Sequence, residues 1–460
     1  MSPRPRSVLL DIPLAWDVNY FYRGNAPYPG GLNLSLTTIA VGGLYAIWVA
    51  RTLAERRPGW RPQFRLAFAA VPYVALTALS IVVATDKLLS LFSILLLAQT
   101  FLVFLYLASV LRTRDDFAFV MAMLMIGVVL ESLAIVVSFR LGRDFGFAGI
   151  SGHAYTPTSA GAGAYRPGGT IGLPNVAGSF LGVVLVPLLS ILPSACSRRM
   201  KVLAGTAFLL GVIALILTYS RGGWLAFGAS LVFLLAVSVR RKLLKPWVPL
   251  AACLVVGALA LPFVHQIAGR LGGTDYGAAA ARIPLMQLAW DVIKAHPLLG
   301  VGVNNFSVVL PDYVGPQFTG DWLSVVHNQY MLVWSEAGIA ALVAFLVFLG
   351  VILRRGWLAS SARDPFLAPL ALGLTAGMVG ILPNMLVERF VNRPQTGLLW
   401  LLAGLLTALY ARARSAEAVG FQSGRRARSR ALLLDGRLLD EPTDLLEPRL
   451  PGVAAGERRS

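Results

Sequence analysis

The sequence predicts an all-α, polytopic membrane protein of about 11 transmembrane helices, with one large loop between spans that carries short helices of its own. Three observations lead there. The chain is 57% hydrophobic and only 13% charged, whereas soluble domains carry about a quarter charged residues. Its 40 Lys+Arg against 22 Asp+Glu leave a net charge of +18, but these basic residues fall between apolar runs. A nucleic-acid binder would spread them over a water-facing surface, so nucleic acid is excluded as a partner. The apolar runs themselves approach the roughly 20 residues needed to cross about 30 Å of hydrocarbon. Cys196 and Cys253 are too few to staple a chain of this size and read as unpaired.

Taken in order, the spans fall near 33–50, 66–84, 88–111, 117–138, 174–193, 202–219, 223–239, 246–263, 329–353, 366–386 and 395–411. They make one membrane domain over 1–411, followed by a basic tail at 412–460 whose small and polar residues predict disorder. The first 32 residues hold Asp11, Asp17 and Arg23 and no continuous apolar stretch, so no cleavable signal peptide is expected. Alternate short connectors carry 17 Lys/Arg in one set and seven in the other. Positive residues resist translocation, so the richer set is expected to be cytoplasmic, together with the tail and its ten further arginines. Eleven spans then place the N-terminus outside, against Arg4, Arg6 and Arg23; a re-entrant or twelfth segment over 8–32 would resolve that conflict. Two long loops, 139–173 and 264–328, fall on the outer side. The second contains a predicted helix, RIPLMQLAWDVIKA, and a loop of that length is usually functional or disordered.

Arginines on the outer side run against the positive-inside bias and need a reason. Arg166 opens RPGGTIGLPNVAG, Arg221 lies in TYSRGGWL, Arg282 begins the loop helix, and Arg389 and Arg393 flank the last outer junction. Guanidinium forks suit phosphate oxygens, and several at one mouth would clamp a diphosphate. The alternative is that each snorkels to the interface or pairs with an acid such as Asp144 or Glu388. Of the four histidines, His153, His265, His296 and His327, no pair has metal-ligand spacing, and HExxH and Asp-x-Asp motifs are absent, so no metal site is expected. His327 opens span nine in HNQYMLVWSEAGI, where helical spacing would put Tyr330, Met331, Trp334 and Gly338 on its face. An imidazole there can accept a proton at neutral pH, or can simply cap the helix. Glu131 and Glu336 lie inside spans, where an ionisable side chain is costly. Glu336, nine residues after His327, would sit roughly 13 Å deeper on the opposite face, as a partner for another helix. A proton-coupled transporter or flippase would use such carboxylates, but its expected internal repeat is not evident.

Four stretches, RPGGTIGLPNVAG at 166–178, SRGGWLA at 220–226, HPLLGVGVNNF at 296–306 and HNQYMLVWSEAGIAAL at 327–342, resemble the O-antigen ligase and polymerase superfamily of bacterial membrane glycosyltransferases. The resemblance covers about 150–342, after which the chain offers only hydropathy. It implies a GT-C-like fold in the bacterial cytoplasmic (inner) membrane, with the active site on the periplasmic face and the C-terminus in the cytoplasm. The implied reaction moves a glycan from undecaprenyl diphosphate to an acceptor hydroxyl, with inversion and with no metal or other cofactor. Carried over, Arg166, Arg221 and Arg282 match diphosphate-binding arginines and His327 matches the base that activates the acceptor. Arg389, Arg393, Tyr330 and Asn175 stand as supporting residues. Implied partners are the lipid-linked glycan, lipid A core or another glycan acceptor, and membrane lipids. A repeat-unit polymerase or a protein O-oligosaccharyltransferase would differ from a ligase only in its acceptor. The chain departs from the ligases in having one span fewer than is usual and a short N-terminal region.

Overall fold

A computed structural model describes residues 36–55, 64–142, 146–147, 150–151, 166–243, 247–272, 282–315 and 325–434. The segment 8–32, Asp144, His153 and the final 26 residues of the expected tail, 435–460, lie outside the described residues. The helices are α1 (Leu36–Glu55), α2 (Phe64–Ala67), α3 (Val71–Leu79), α4 (Lys87–Val110), α5 (Arg114–Leu141), α6 (Pro174–Leu189), α7 (Arg198–Leu217), α8 (Arg221–Arg240), α9 (Trp247–Ala260), α10 (Val264–Gly272), α11 (Arg282–Ala295), α12 (Phe306–Tyr313), α13 (Gln329–Ala359), α14 (Leu367–Val387) and α15 (Arg393–Leu434). The only strands among the described residues are β1 (Gly146–Phe147) and β2 (Ile150–Ser151), an antiparallel pair.

The fold is therefore the all-α polytopic one. Eight of these helices are long and apolar enough to cross a membrane, and three shorter apolar segments, Val71–Val83, Pro174–Leu189 and Cys253–Phe263, fall at the remaining expected spans. Large apolar side chains such as Ile47, Phe119, Val232 and Val347 stay exposed on the bundle surface, as a lipid-facing surface requires. Chemistry at the helix starts sets several boundaries. Asp86 caps α4 by accepting from the N–H groups of Leu88 and Leu89, Thr113 and Asp116 form a capping box on α5, and Ser220 caps α8 through the N–H of Gly223. α15 runs past residue 411, where composition had placed the start of a tail.

Small residues decide which helices meet. A side chain at Gly182 would run into the carbonyl oxygen of Gly223 at 2.3 Å, and one at Gly380 into that of Ala226 at 2.4 Å. Without an apolar driving force between helices in lipid, close backbone approach of this kind is what holds them. It binds α6, α8 and α14 into one tight core. α6 and α8 begin, and α14 ends, at the same end of that core. At the other end basic residues pin helix ends: Arg114 pairs with Asp364 at 2.9 Å, and Arg241 lies 4.0 Å over the Trp357 ring.

One expectation about span nine is corrected. His327 is not on the helix. It precedes Asn328, the cap of α13, whose side chain accepts from the N–H groups of Tyr330 and Met331. Helical spacing from His327 therefore does not apply: the Tyr330 hydroxyl donates to the Leu382 carbonyl at 3.0 Å and the Trp334 indole to the Pro297 carbonyl at 3.1 Å. Glu336 meets the first residue of another helix, α12. α13 breaks at Gly338, whose φ of 82° is foreign to ordinary side chains, and the segment 296–306 fills the gap. Ile339 N–H donates to Pro297, Val301 N–H to Ser335 and Gly302 N–H to the Glu336 carbonyl, while the Glu336 carboxylate accepts from Phe306 N–H at 3.3 Å. The next two asparagines continue the lock. Asn305 accepts from Asp86 N–H at 2.7 Å and donates to the Asp86 carbonyl at 3.0 Å, and Asn304 donates to the Leu89 carbonyl at 3.2 Å. HPLLGVGVNNF is thus a clasp that fixes the large loop to α4 and α13.

Candidate functional site

The loop before α6 is built on Glu131. Its carboxylate accepts from the N–H groups of Thr170 and Ile171, each at 3.2 Å, and from the Thr170 hydroxyl. Gly169 has a φ of 58° and presses so close that a side chain would meet Glu131 at 2.2 Å. This turn presents Arg166, which is itself a brace: Nη2 donates to Asn175 Oδ1 at 2.7 Å, and Nε to the Thr218 carbonyl at 3.1 Å. Those bonds tie the start of α6 to the turn between α7 and α8. In that turn Tyr219 adopts φ 50°, a conformation that costs a residue with a side chain and that clusters at functional sites. Arg221 is the first residue of α8. Its neighbour Gly222 sits against Glu388, where an added side chain would come within 3.2 Å of Cγ.

Glu388 ends α14 and is the centre of the cluster. It is 5% exposed, and its carboxylate accepts from Arg282 Nη2 at 3.1 Å. Burial pushes its pKa up, while Arg282, then Arg389 and Arg166, pull it back. The acid pairing weighed from sequence is therefore what Arg282 makes. Arg389 follows in chain. Burial lowers its pKa and Glu388 and Glu336 oppose that, and the negative end of α14 favours a cation here. Phe390 N–H then donates to Gln329 Oε1 at 2.7 Å, and the Thr396 hydroxyl donates to the Phe390 carbonyl at 2.7 Å. These two bonds bring the starts of α13 and α15, with Arg393 as first residue of the latter, to the same place. The starts of α6, α8, α13 and α15 so gather at one end of the bundle, and helix N-termini carry partial positive charge suited to an anion.

His327 lies at this end, half-buried. Burial first, then Arg389 and Arg282, push its pKa down to about 3, against a small opposing effect of a hydrogen bond to the Val325 main chain. These influences favour the neutral imidazole. His296 is elsewhere, exposed and 3.0 Å from the Tyr313 hydroxyl. Among the described residues no group of three His, Cys, Asp or Glu stands close enough to hold a metal ion.

The structure thus brings Arg166, Arg282 and Arg389 within electrostatic reach of one carboxylate, with Arg282 and Arg389 also acting on His327 and Arg221 one residue from the packing contact of Glu388. Asn175 braces Arg166, and Tyr330 is engaged with α14. Sequence reasoning undervalued Glu388 and Arg389. The signal that could have found them is the adjacent Glu-Arg pair closing an apolar run in MLVERF, since a charge pair at a span boundary is rarely idle.

No curated protein matches the chain at a significant level. A chain of a solved peptidoglycan synthase complex, described for its structural coordination of polymerization and crosslinking, is similar at 17% identity. The similarity covers 76% of this chain and 98% of that one, with a TM-score of 0.42. Residues 206–346, which hold Arg221, Arg282, His327 and the 296–306 clasp, match the family model described as O-antigen ligase.

Proposed function

We propose that this chain is an inverting glycosyltransferase that moves a glycan from undecaprenyl diphosphate to an acceptor hydroxyl at the outer face of the cytoplasmic membrane, in the manner of an O-antigen ligase. The observation that carries the reading is the convergence of Arg282, Arg389 and Arg166 on Glu388, with Arg282 and Arg389 also acting on His327, at the end where four helices begin. Five arginines stand there, counting Arg221 and Arg393, and an anion of high charge is the ligand such a field selects. The bias of 17 against seven basic residues in short connectors supports the outer placement.

In the proposed step the acceptor oxygen forms a bond to the anomeric carbon as its proton passes to the His327 imidazole. The bond from that carbon to the phosphate oxygen breaks, and its electron pair stays on the diphosphate. Arg221, Arg282 and Arg389 take up the developing charge. Arg166, with Nε and Nη2 already engaged, positions the turn and adds to the field. The depressed pKa of His327 fits this order of events. Beyond burial, two guanidiniums oppose an imidazolium, and a bound diphosphate offsets them, so the base gains strength when the donor binds.

Glu131 and Glu336 accept bonds from loop main chain, which favours the enzyme over a proton-coupled carrier. Acceptor choice separates ligase from polymerase and from protein O-oligosaccharyltransferase. The test is reconstitution with a lipid-linked glycan and a panel of acceptors. We expect transfer and release of undecaprenyl diphosphate, lowered about 10²- to 10⁴-fold by His327→Ala with donor binding retained. Transfer at the unaltered rate by His327→Ala would remove the general base from the account.

A further inference from the structure

Resting on that reading of the site, we propose that Glu388 is a positioning residue that stands in for the donor: its carboxylate holds Arg282 until the donor binds and then yields that guanidinium to the diphosphate. Carboxylate and phosphate offer the Arg fork the same arrangement of acceptor oxygens. The pair is asymmetric, with the Arg282 side chain 25% exposed and that of Glu388 7% exposed. Glu388 is also fixed. Its N–H donates to the Asn384 carbonyl at 2.8 Å, and Gly222 of α8 closes on its side chain. The partner free to turn toward an incoming anion is therefore Arg282, which sits on the first residue of α11.

A fixed carboxylate among arginines has two opposed consequences. It competes for Arg282 and weakens the field that draws the donor, which costs affinity. By pairing with Arg282, one of the two guanidiniums that act on His327, it also offsets the positive field there, which helps the imidazole take a proton. Removing the charge without changing shape should improve the first and harm the second. A residue that merely supported the fold would harm both.

The experiment uses the full chain in nanodiscs with undecaprenyl diphosphate as the binding probe and a lipid-linked glycan for turnover. Glu388→Gln is expected to bind the probe about five- to tenfold tighter and to turn over about five- to tenfold more slowly, the size of one screened unit charge. Glu388→Asp, which keeps the charge, should recover most of the lost turnover. Equal or weaker binding by Glu388→Gln, with the unaltered chain binding normally, would overturn the inference, as would a Glu388→Asp no faster than Glu388→Gln. Absence of binding by the unaltered chain would instead overturn the donor-site reading beneath it.

Discussion

Glu131 and Glu336 on one side, and Glu388 on the other, are all carboxylates 5–8% exposed in an apolar bundle, yet they are satisfied differently. Glu131 and Glu336 accept from main-chain N–H groups of the 166–172 turn and the 296–306 clasp. Glu388 is held by a guanidinium and lies in the field of two more. A carboxylate bonded to main chain has its partners for the life of the fold. One bonded to a mobile arginine has a partner that an anion can take away. Burial and charge alone would have ranked the three alike; the kind of donor separates scaffold from chemistry.

That contrast is open to direct attack. The largest effect on that contrast is expected at Arg282→Ala, with turnover down about 10²- to 10³-fold and a stability loss smaller than that of a loop variant, because Arg389 and Arg166 still face Glu388 and the loops stay clasped. A drop in melting temperature as large as that of a loop variant would erase the distinction. Glu131→Ala should do the reverse. It leaves the N–H groups of Thr170 and Ile171 without their acceptor, at about 1–3 kcal/mol each, so denaturation should shift first and donor affinity only through the displaced Arg166 turn. Gly338→Ala tests the other clasp, since its Cβ would stand 1.9 Å from the Leu298 carbonyl oxygen; a chain that folds and melts unchanged would contradict the lock described for α13.

Smaller effects sharpen the chemical side. Burial, Arg389 and Arg282 push the His327 pKa down to about 3, so protonation of this base should not cut kcat/KM until the pH falls far below the ordinary imidazole range, about 6.5. Donor binding offsets Arg389 and Arg282 and raises that pKa, so the acid limb of kcat should lie at higher pH than that of kcat/KM. Coincident limbs in a pH–rate series would mean that the diphosphate does not offset those guanidiniums. EDTA should leave the rate unchanged, because arginines rather than a divalent ion are assigned the leaving-group charge; loss of activity restored by added Mg²⁺ would reverse that assignment.

The spans were legible from hydropathy because lipid imposes one rule on every crossing helix. Arg166, Arg221, Arg282 and His327 were legible because charge is conspicuous against an apolar background. What they touch was not. Asp86 meets Asn305 across 219 residues, and no local pattern announces such a contact. The break at Gly338 was hidden inside a run that is helical on both sides, and His327 falls just outside α13 because His-Asn reads equally as helix or as cap.

The account stands on guanidiniums at one end of the bundle binding a lipid diphosphate, and affinity for undecaprenyl diphosphate measures that most directly. The unaltered chain in nanodiscs should bind it, and the double variant Arg282→Ala/Arg389→Ala should bind at least about 100-fold more weakly. Equal affinity in a folded double variant would contradict it.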